Sequence, residues 1–440
     1  MLYHEAMEYL QNLTKFGMNF GLGRITELLR RLGDPHLGIK VLHVGGTNGK
    51  GSTTAMLAAV LQRAGYRVGT FTSPHLHSYT ERYRINGREI ETERVAELIT
   101  RLRPHLEAMV REGFEHPTEF EVSTAMAFCY FLDEKVDYLV LEVGLGGAID
   151  STNVVNPLLS IITNVAMDHM DYLGKTVAEI ARVKAGIIKP GVPAVTAADD
   201  PRALQIIEQT CREKQSSLVR VGSDVSWVYG DRSLAGQYFD YYGLKWRLPK
   251  LWIPLIGAHQ VVNAATALAA LEVLAGRGVR LDERAVREGL AATVWPARLE
   301  LIGEKPPVLI DAAHNYDGAH SLRAALDQYF PDREIIMVLG MLGDKERAKV
   351  VAELVPRARH VIITRPNSPR AGDWMQLAGE ARRYVPRVDT VENIGDAIRA
   401  GMALAGAGDL VCVTGSIYMV AEAREVVLEL NGKTAGAPGR

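Results

Sequence analysis

The stretch Gly45-Gly46-Thr47-Asn48-Gly49-Lys50-Gly51-Ser52 decides the fold of the first part of this chain. An apolar segment, KVLHV at 40–44, precedes it, and a segment rich in alanine and leucine at 52–64 follows it. This order predicts a strand, a glycine-rich loop and a helix. Glycines let the backbone wrap closely around an anion, and the helix N-terminus adds a favourable dipole. The stretch therefore predicts a phosphate-binding loop.

The polar side chains of this loop suit a nucleotide bound with a metal ion. Lys50 can neutralise the β- and γ-phosphates, and Ser52 or Thr53 can place a hydroxyl near the metal. The spacing differs from the standard P-loop, because Gly51 separates the lysine from the first hydroxyl. The alternative is a glycine-rich turn without a ligand, although a lysine and paired hydroxyls at a helix start serve no evident structural need.

Apolar segments alternate with helical segments through most of the chain. Further strand candidates with β-branched residues lie at 66–71, 138–143, 158–165 and 192–197, and then at 308–313, 334–341, 360–365 and 410–415. The two series predict an α/β protein. We expect a P-loop-type open sheet in an N-terminal domain, residues 1–296, plus a smaller Rossmann-like α/β C-terminal domain, residues 297–440. Short antiparallel strands are expected at 218–256, as an insertion in the first domain.

Composition narrows the class of protein. A chain of 440 residues with 47% apolar and 23% charged residues can bury two cores. The net charge of −2 gives no general attraction to nucleic acid or to an anionic membrane. No apolar run approaches about 18 residues, and the N-terminus does not have the pattern of a signal peptide. The three cysteines are far apart in the sequence, which indicates buried thiols in a reducing, cytoplasmic compartment.

Several single residues have both a structural and a functional interpretation. Glu142 ends an apolar strand, where a buried carboxylate needs a metal, a cation or an arginine partner. A loop histidine such as His169 is, taken alone, more often solvated than a ligand. Lys184 lies near the end of a helix opened by the capping box TVAE at 176–179, where a lysine also suits the helix dipole. Asn263 precedes an alanine-rich helix and can contact a nucleotide or serve as an N-cap.

The loop resembles the GTxGKGS sequence of the Mur ligase superfamily, and residues 46–52 match in full the GTNGKGS of its folylpolyglutamate synthase branch. Other motifs of that branch follow in family order: SPHL at 73–76, ERYRING at 81–87, LEVGLGG at 141–147, DSTN at 150–153, TN at 163–164, DH at 168–169, KAGIIK at 184–189, GAHQ at 257–260, NAA at 263–265, WPAR at 295–298, DAAHN at 311–315 and GS at 415–416. Three positions depart from the family pattern: Ala148 replaces an arginine, Ala297 a glycine and Tyr316 a proline. The first departure bears on which folate is preferred.

This resemblance implies an ATP-dependent ligase that joins L-glutamate to the carboxylate of dihydropteroate or a folate through an acyl phosphate. It implies two Mg²⁺ ions, with Ser73, Glu142 and His169 as metal ligands, and a carbamylated lysine at Lys184. The implied catalytic residues are Lys50, Lys184 and His314. The implied ATP-binding residues are Thr47, Asn48, Gly49, Lys50, Gly51, Ser52, Asn263, Arg298 and Asp311. The implied substrate-binding residues are Phe120, Glu121, Asp150 and Ser416.

Two other classes of protein share part of this pattern. A peptidoglycan-type Mur ligase has the same loop and lysine but usually carries a separate N-terminal domain for its UDP-sugar, and here the loop begins at Gly45. A regulatory or motor P-loop ATPase is expected to show an acidic pair after an apolar strand, whereas YLVLEVG at 138–144 has one acid followed by glycine. The folate branch is favoured, with small-molecule substrates, no nucleic acid or membrane partner, and a monomeric state.

Overall fold

The structure, a computed structural model, describes residues 1–17 and 19–432. Its N-terminal part is built on an eight-stranded sheet with the order β4-β3-β2-β5-β1-β6-β7-β8. The strands are β1 Val41–Gly45, β2 Val68–Phe71, β3 Tyr83–Ile85, β4 Arg88–Glu89, β5 Tyr138–Glu142, β6 Leu159–Ile162, β7 Ala194–Thr196 and β8 Leu218–Arg220. β2, β5, β1, β6, β7 and β8 run parallel, while β3 and β4 pair antiparallel at one edge. The carboxyl ends of the parallel strands therefore share one edge of the sheet.

Helices cover both faces of this sheet. They are α1 Tyr3–Leu13, α2 Gly23–Arg31, α3 Lys50–Arg63, α4 Thr92–Arg111, α5 Glu119–Asp133, α6 Met170–Leu173, α7 Val177–Ala185, α8 Pro201–Glu213, α9 Ala258–Gly276 and α10 Glu283–Ala291. Successive residues of a strand point to opposite faces. In β5, Leu139 and Leu141 join a core with α1, α2, α4 and α5, whereas Val140 joins a core with α3, α9 and α10. Both faces are apolar, which explains the continuous apolar strand segments in the sequence.

A three-stranded antiparallel sheet packs against α9. Its strands are β9 Ser226–Ser233, β10 Gly236–Tyr242 and β11 Arg247–Ile253, in the order β11-β10-β9. Its buried side chains, such as Phe239 and Leu251, join the same core as α9. Glu272 of α9 anchors this sheet to the helix. Its carboxylate accepts hydrogen bonds from the Tyr241 hydroxyl and from the backbone N–H groups of Leu244, Lys245 and Trp246 at 2.6–2.9 Å.

The C-terminal part has its own six-stranded sheet, with the order β12-β13-β17-β14-β15-β16. The strands are β12 Glu300–Ile302, β13 Val308–Ile310, β14 Ile335–Leu339, β15 His360–Ile363, β16 Val388–Thr390 and β17 Leu410–Thr414. The helices are α11 Tyr316–Tyr329, α12 Arg347–Leu354, α13 Gln376–Ala381, α14 Ile394–Leu404 and α15 Ile417–Leu430. All strand pairs are parallel except β12 with β13. The α/β fold class is confirmed, and the 296/297 boundary stays a prediction beside a second sheet that begins at Glu300.

The structure corrects some details of the sequence interpretation. Every predicted apolar segment contains a strand, but β8, at the start of the expected antiparallel insertion, extends the large sheet in parallel. α9 begins at Ala258, so Asn263 lies within the helix, and the N-cap alternative is wrong.

In the described part of the chain, α9 is also the one helix long and apolar enough to cross a membrane, although the sequence predicted none. Its apolar window is 72% buried, as in the core helix of a globular domain.

Replacing Glu272 with alanine is expected to lower the free energy of unfolding by about 2–4 kcal/mol, because the three backbone donors lose their acceptor. The matched control is Glu283→Ala on α10, whose exposed carboxylate pairs with Arg287 and is expected to change stability by no more than about 0.5 kcal/mol. Urea unfolding measures both. Equal effects of the two substitutions would contradict the role assigned to Glu272.

Candidate active site

The candidate site lies where the carboxyl ends of the two parallel sheets face each other. A cavity of about 340 Å³ is lined from the N-terminal part by Ser73, Asp150 and His169, among others, and from the C-terminal part by His314, Lys345 and Ser416. Ligand sites of open α/β sheets form at this edge, because the loops that follow the strands gather there. Both parts of the chain therefore contribute polar groups to one cavity.

The phosphate loop is shaped by close contacts that exclude side chains. Gly49 has φ +82°, and a Cβ there would lie 2.3 Å from the Asn263 side-chain oxygen. Gly46 has φ +139°, and its Cβ would lie 2.0 Å from Thr163 Oγ1. The helix α3 begins directly at Lys50. The predicted strand, loop and helix are thus present, and Asn263, which lies on a different helix, packs against the loop.

Two lysine side chains converge on the carbonyl of Gly46. Lys50 Nζ donates to it at 3.3 Å and to the Thr47 carbonyl at 3.0 Å. Lys184 Nζ, which is buried, donates to the same Gly46 oxygen at 2.8 Å. Burial, together with the nearby charge of Lys50, lowers the pKa of Lys184 to about 7. The loop therefore holds closely spaced positive charge that suits an anionic ligand.

Glu142 and Ser73 are neighbours at the carboxyl ends of β5 and β2. The Ser73 backbone N–H donates to Glu142 Oε2 at 3.3 Å. Burial raises the pKa of Glu142 to about 7, against the opposing charges of Lys50 and Arg298. Within residues 1–17 and 19–432, Glu142 forms no ion pair with an arginine, so the salt-bridge alternative receives no support. A buried carboxylate beside a serine offers hard oxygen atoms to a divalent cation.

His169 lies in a compact cluster that joins the two domains. The Lys345 ammonium donates to Asp168 Oδ1 at 2.6 Å and lies 3.3 Å from His169 Nε2. His314 Nε2 lies 3.4 Å from Asp168 Oδ2. Burial favours protonation of Asp168, but the bond from His314 and the charge of Lys345 outweigh it and hold the pKa of Asp168 well below its usual range. Burial lowers the pKa of His169 to about 4, so its imidazole is neutral at pH 7, as a metal ligand must be.

The segment that carries Arg298 is held by Asp311. The Asp311 carboxylate accepts the Leu299 and Ala313 backbone N–H groups, each at 2.9 Å. Its oxygens thus serve the local backbone, and this arrangement fixes the turn around Arg298. Ala297 has φ +56°, a left-handed conformation that favours glycine, which explains why the related motif carries glycine at this position.

The expected substrate residues divide into two groups. Phe120 lines the cavity and packs against Gly144, where a Cβ would meet its ring at 2.4 Å. Asp150 also lines it, with its oxygens accepting the backbone N–H groups of Leu145 at 2.7 Å and Thr152 at 3.0 Å. Ser416 Oγ is buried at the cavity with no hydrogen-bond partner among the described residues, so it is free for a ligand.

Glu121 is not brought to the cavity. Its carboxylate accepts the Thr118 backbone N–H at 2.8 Å, which caps α5, and pairs with Arg24 at 3.1 Å. The signal for this role was in the sequence, because Thr118-Glu-Phe-Glu121 has the pattern of a capping box. Conversely, the sequence analysis missed Lys345 and Asp317. Lys345 follows strand β14, and Asp317 follows the motif DAAHN. Their position in the loops or first turns after strands was the available signal.

Comparison with known families agrees with this architecture. The Mur ligase middle domain matches residues 44–271, and the Mur ligase glutamate ligase domain matches residues 297–417. The fold and the site therefore define a Mur-type, ATP-dependent amide-forming ligase.

Individual relatives cover nearly the whole chain. The chain is 38% identical to a dihydrofolate synthase/folylpolyglutamate synthase of Bacillus subtilis, over 96% of this chain and 98% of the relative. A structure of Mycobacterium tuberculosis folylpolyglutamate synthase complexed with ADP has a TM-score of 0.91 at 35% identity, covering 99% of this chain and 100% of that one. Escherichia coli FolC in complex with DHPP and ADP has a TM-score of 0.87 at 32% identity, covering 98% and 99%. The chain belongs to the folylpolyglutamate synthase/dihydrofolate synthase family.

The buried amine predicts a specific pH dependence of stability. The pKa of Lys184 in the folded chain, about 7, lies below its ordinary value of 10.5, so between these values the unfolded chain binds a proton that the folded chain does not. Stability contributed by this group is therefore gained as pH rises. In CO₂-free buffer, the free energy of unfolding of the wild type relative to Lys184→Met should rise by roughly 3 kcal/mol between pH 7 and pH 10. A difference that stays constant across this range would contradict a buried, neutral lysine.

Proposed function

We propose that this protein ligates L-glutamate to the carboxylate of dihydropteroate and also to that of reduced folates, and so carries both synthase activities. The observation that carries the proposal is the cavity that polar groups of both parts of the chain line, with Ser73 and His169 on the N-terminal side and Ser416 on the C-terminal side. The bifunctional form is supported by the Bacillus, Mycobacterium and Escherichia relatives, each named for both activities. A single cavity serves both acceptors, which share a pterin joined to a p-aminobenzoyl group. The reacting carboxylate is that of the benzoate in dihydropteroate and that of the glutamate side chain in a reduced folate.

In the first step, the acceptor carboxylate attacks the γ-phosphorus of ATP, and ADP leaves to give an acyl phosphate. Phosphoryl transfer needs positioned and neutralised charge rather than covalent help from the protein. Lys50, at the start of α3, and Arg298 are the cations assigned to this task. The backbone and side chains of residues 47–52, with Asn263 and Asp311, are the remaining groups assigned to ATP.

In the second step, the amine of L-glutamate attacks the acyl carbon, and phosphate leaves. His314, Lys345 and Ser416 line the C-terminal side of the cavity, and we assign them to the incoming amino acid. The unpartnered Ser416 hydroxyl and the Lys345 ammonium suit a carboxylate ligand. Phe120 and Asp150, on the opposite side, belong to the acceptor pocket.

The residues present fit magnesium. Glu142 and Ser73 supply hard oxygens, and the neutral His169 supplies a nitrogen, while waters complete the shell that Mg²⁺ usually retains. When bound, Mg²⁺ neutralises the phosphate oxygens. Ser73, Glu142 and His169 would hold it.

The environment of Lys184 also suits carbamylation of its amine. An amine must be neutral to react with CO₂, and burial lowers the pKa of Lys184 to about 7. The carbamate would turn the cation beside Lys50 into an anion, which removes the repulsion between the two ammonium groups. A carbamate carbon signal from ¹³C-bicarbonate, present in the wild type and absent in Lys184→Met, tests this assignment.

We further propose a monomer that acts in the cytoplasm on small molecules, with no nucleic acid or membrane partner.

The purified protein, given MgATP, L-glutamate and either dihydropteroate or tetrahydrofolate, is expected to release phosphate with both acceptors. Mass spectrometry should show a product heavier by one glutamyl unit in each case. Lys50→Met is expected to reduce turnover by about 100-fold or more, because the phosphate charge loses its nearest cation. Lys175→Met, which removes an exposed lysine, is the matched control.

Product from one acceptor alone would show a monofunctional enzyme and make Ala148 the first position to test by substitution with arginine. Absence of stimulation by either acceptor would contradict the folate assignment. UDP-sugar peptides would then be the next substrates to test.

A further inference from the structure

The phosphate loop makes a direct polar contact with the C-terminal domain. Asn48 Nδ2 donates to Asp317 Oδ2 at 2.7 Å and to Asn315 Oδ1 at 3.2 Å. Asn315 Nδ2 donates back to Asn48 Oδ1 at 3.1 Å. Since Asn48 belongs to the loop and the other two residues lie at the start of α11, these bonds join the two domains at the loop itself.

Asp317 holds a second residue of the N-terminal domain through the same oxygen. Asn164 Nδ2 donates to Asp317 Oδ2 at 3.0 Å, and Asn164 Oδ1 accepts the backbone N–H of Asn48 at 2.7 Å. The carboxylate thus closes a ring of hydrogen bonds that fixes Asn48 on two sides. Bonds to an ionised acceptor are stronger than neutral ones, and the first turn of a helix favours a negative charge.

The same network reaches the side of the cavity assigned to the incoming amine. Asn315 Nδ2 also donates to Asp168 Oδ2 at 3.1 Å. Asp168 is the carboxylate paired with Lys345 and near His314. A continuous set of hydrogen bonds therefore runs from the phosphate loop, through Asn315, to the glutamate side.

We propose that Asp317 is a positioning residue that couples the two half-reactions. It keeps the C-terminal domain docked on the phosphate loop, so that the acyl phosphate forms while the amine side is in place and water is excluded. This inference rests on the proposed ligase function. Without Asp317, water attacks the acyl phosphate, the bond to the phosphate oxygen breaks, and carboxylate and phosphate are released with no amide formed.

The test is the amount of phosphate released per glutamyl product, measured with MgATP, L-glutamate and the preferred acceptor. The wild type should give a ratio near one, and Asp317→Leu, which keeps the size but removes the acceptor, should raise it about threefold or more. Asp317→Asn keeps an acceptor oxygen and should stay close to the wild type. Asp327→Leu is the matched control, because it removes an exposed carboxylate of the same helix that pairs with Arg323 and Arg357.

A slower Asp317→Leu enzyme whose ratio stays near one would overturn the proposal, since a purely structural role lowers turnover without uncoupling it. If this variant does not fold, Asp317→Ala provides the same measurement. Absence of any glutamylated product from the wild type would be a failure of the proposed function, and it is distinguishable because no ratio can then be formed.

Discussion

Two ammonium groups on one backbone carbonyl are the constraint around which the site is organised. Lys50 and Lys184 both donate to Gly46, inside a loop that glycines allow to close tightly. Placing a buried cation beside a second, partly buried one is costly, and the pKa of Lys184 is accordingly lowered to about 7. A bound polyphosphate would relieve it further. The lowered pKa of Lys184 and the suitability of the loop for an anion therefore follow from the same local geometry.

The second sheet is needed because the N-terminal domain supplies half of a site. Its strands β1, β5 and β6 present the phosphate loop, Glu142 and the Asp168–His169 turn along one edge. The groups that face them across the cavity, His314, Lys345 and Ser416, follow strands of the C-terminal sheet. An acyl phosphate is unstable in water, so chemistry of this kind requires a cavity closed from both sides. Since both parts of the chain line the cavity, each supplies one of its sides.

Much of the fold could be predicted because its strands are buried on both faces and read as continuous apolar segments. The sequence analysis did not predict β3 and β4, since RYRINGRE at 82–89 is short and largely polar. It placed β8 in the antiparallel sheet, because a strand of three residues carries little periodicity. In the site, the phosphate loop and the Ser73–Glu142 pair follow from strand ends and motifs. Lys345 and Asp317 act across the domain boundary, and their contacts depend on how two independent sheets are oriented. No local pattern in the sequence encodes that orientation.

The central claim is that an acyl phosphate links the two halves of the reaction, and isotope transfer tests it most directly. The acceptor is prepared with ¹⁸O in its carboxylate and incubated with the wild-type protein, MgATP and L-glutamate, and the released phosphate is examined by mass spectrometry. The account predicts that each phosphate carries one labelled oxygen from the carboxylate, because the carbon–oxygen bond to phosphate breaks when the amine attacks. Phosphate without label, released together with glutamylated product, would contradict it.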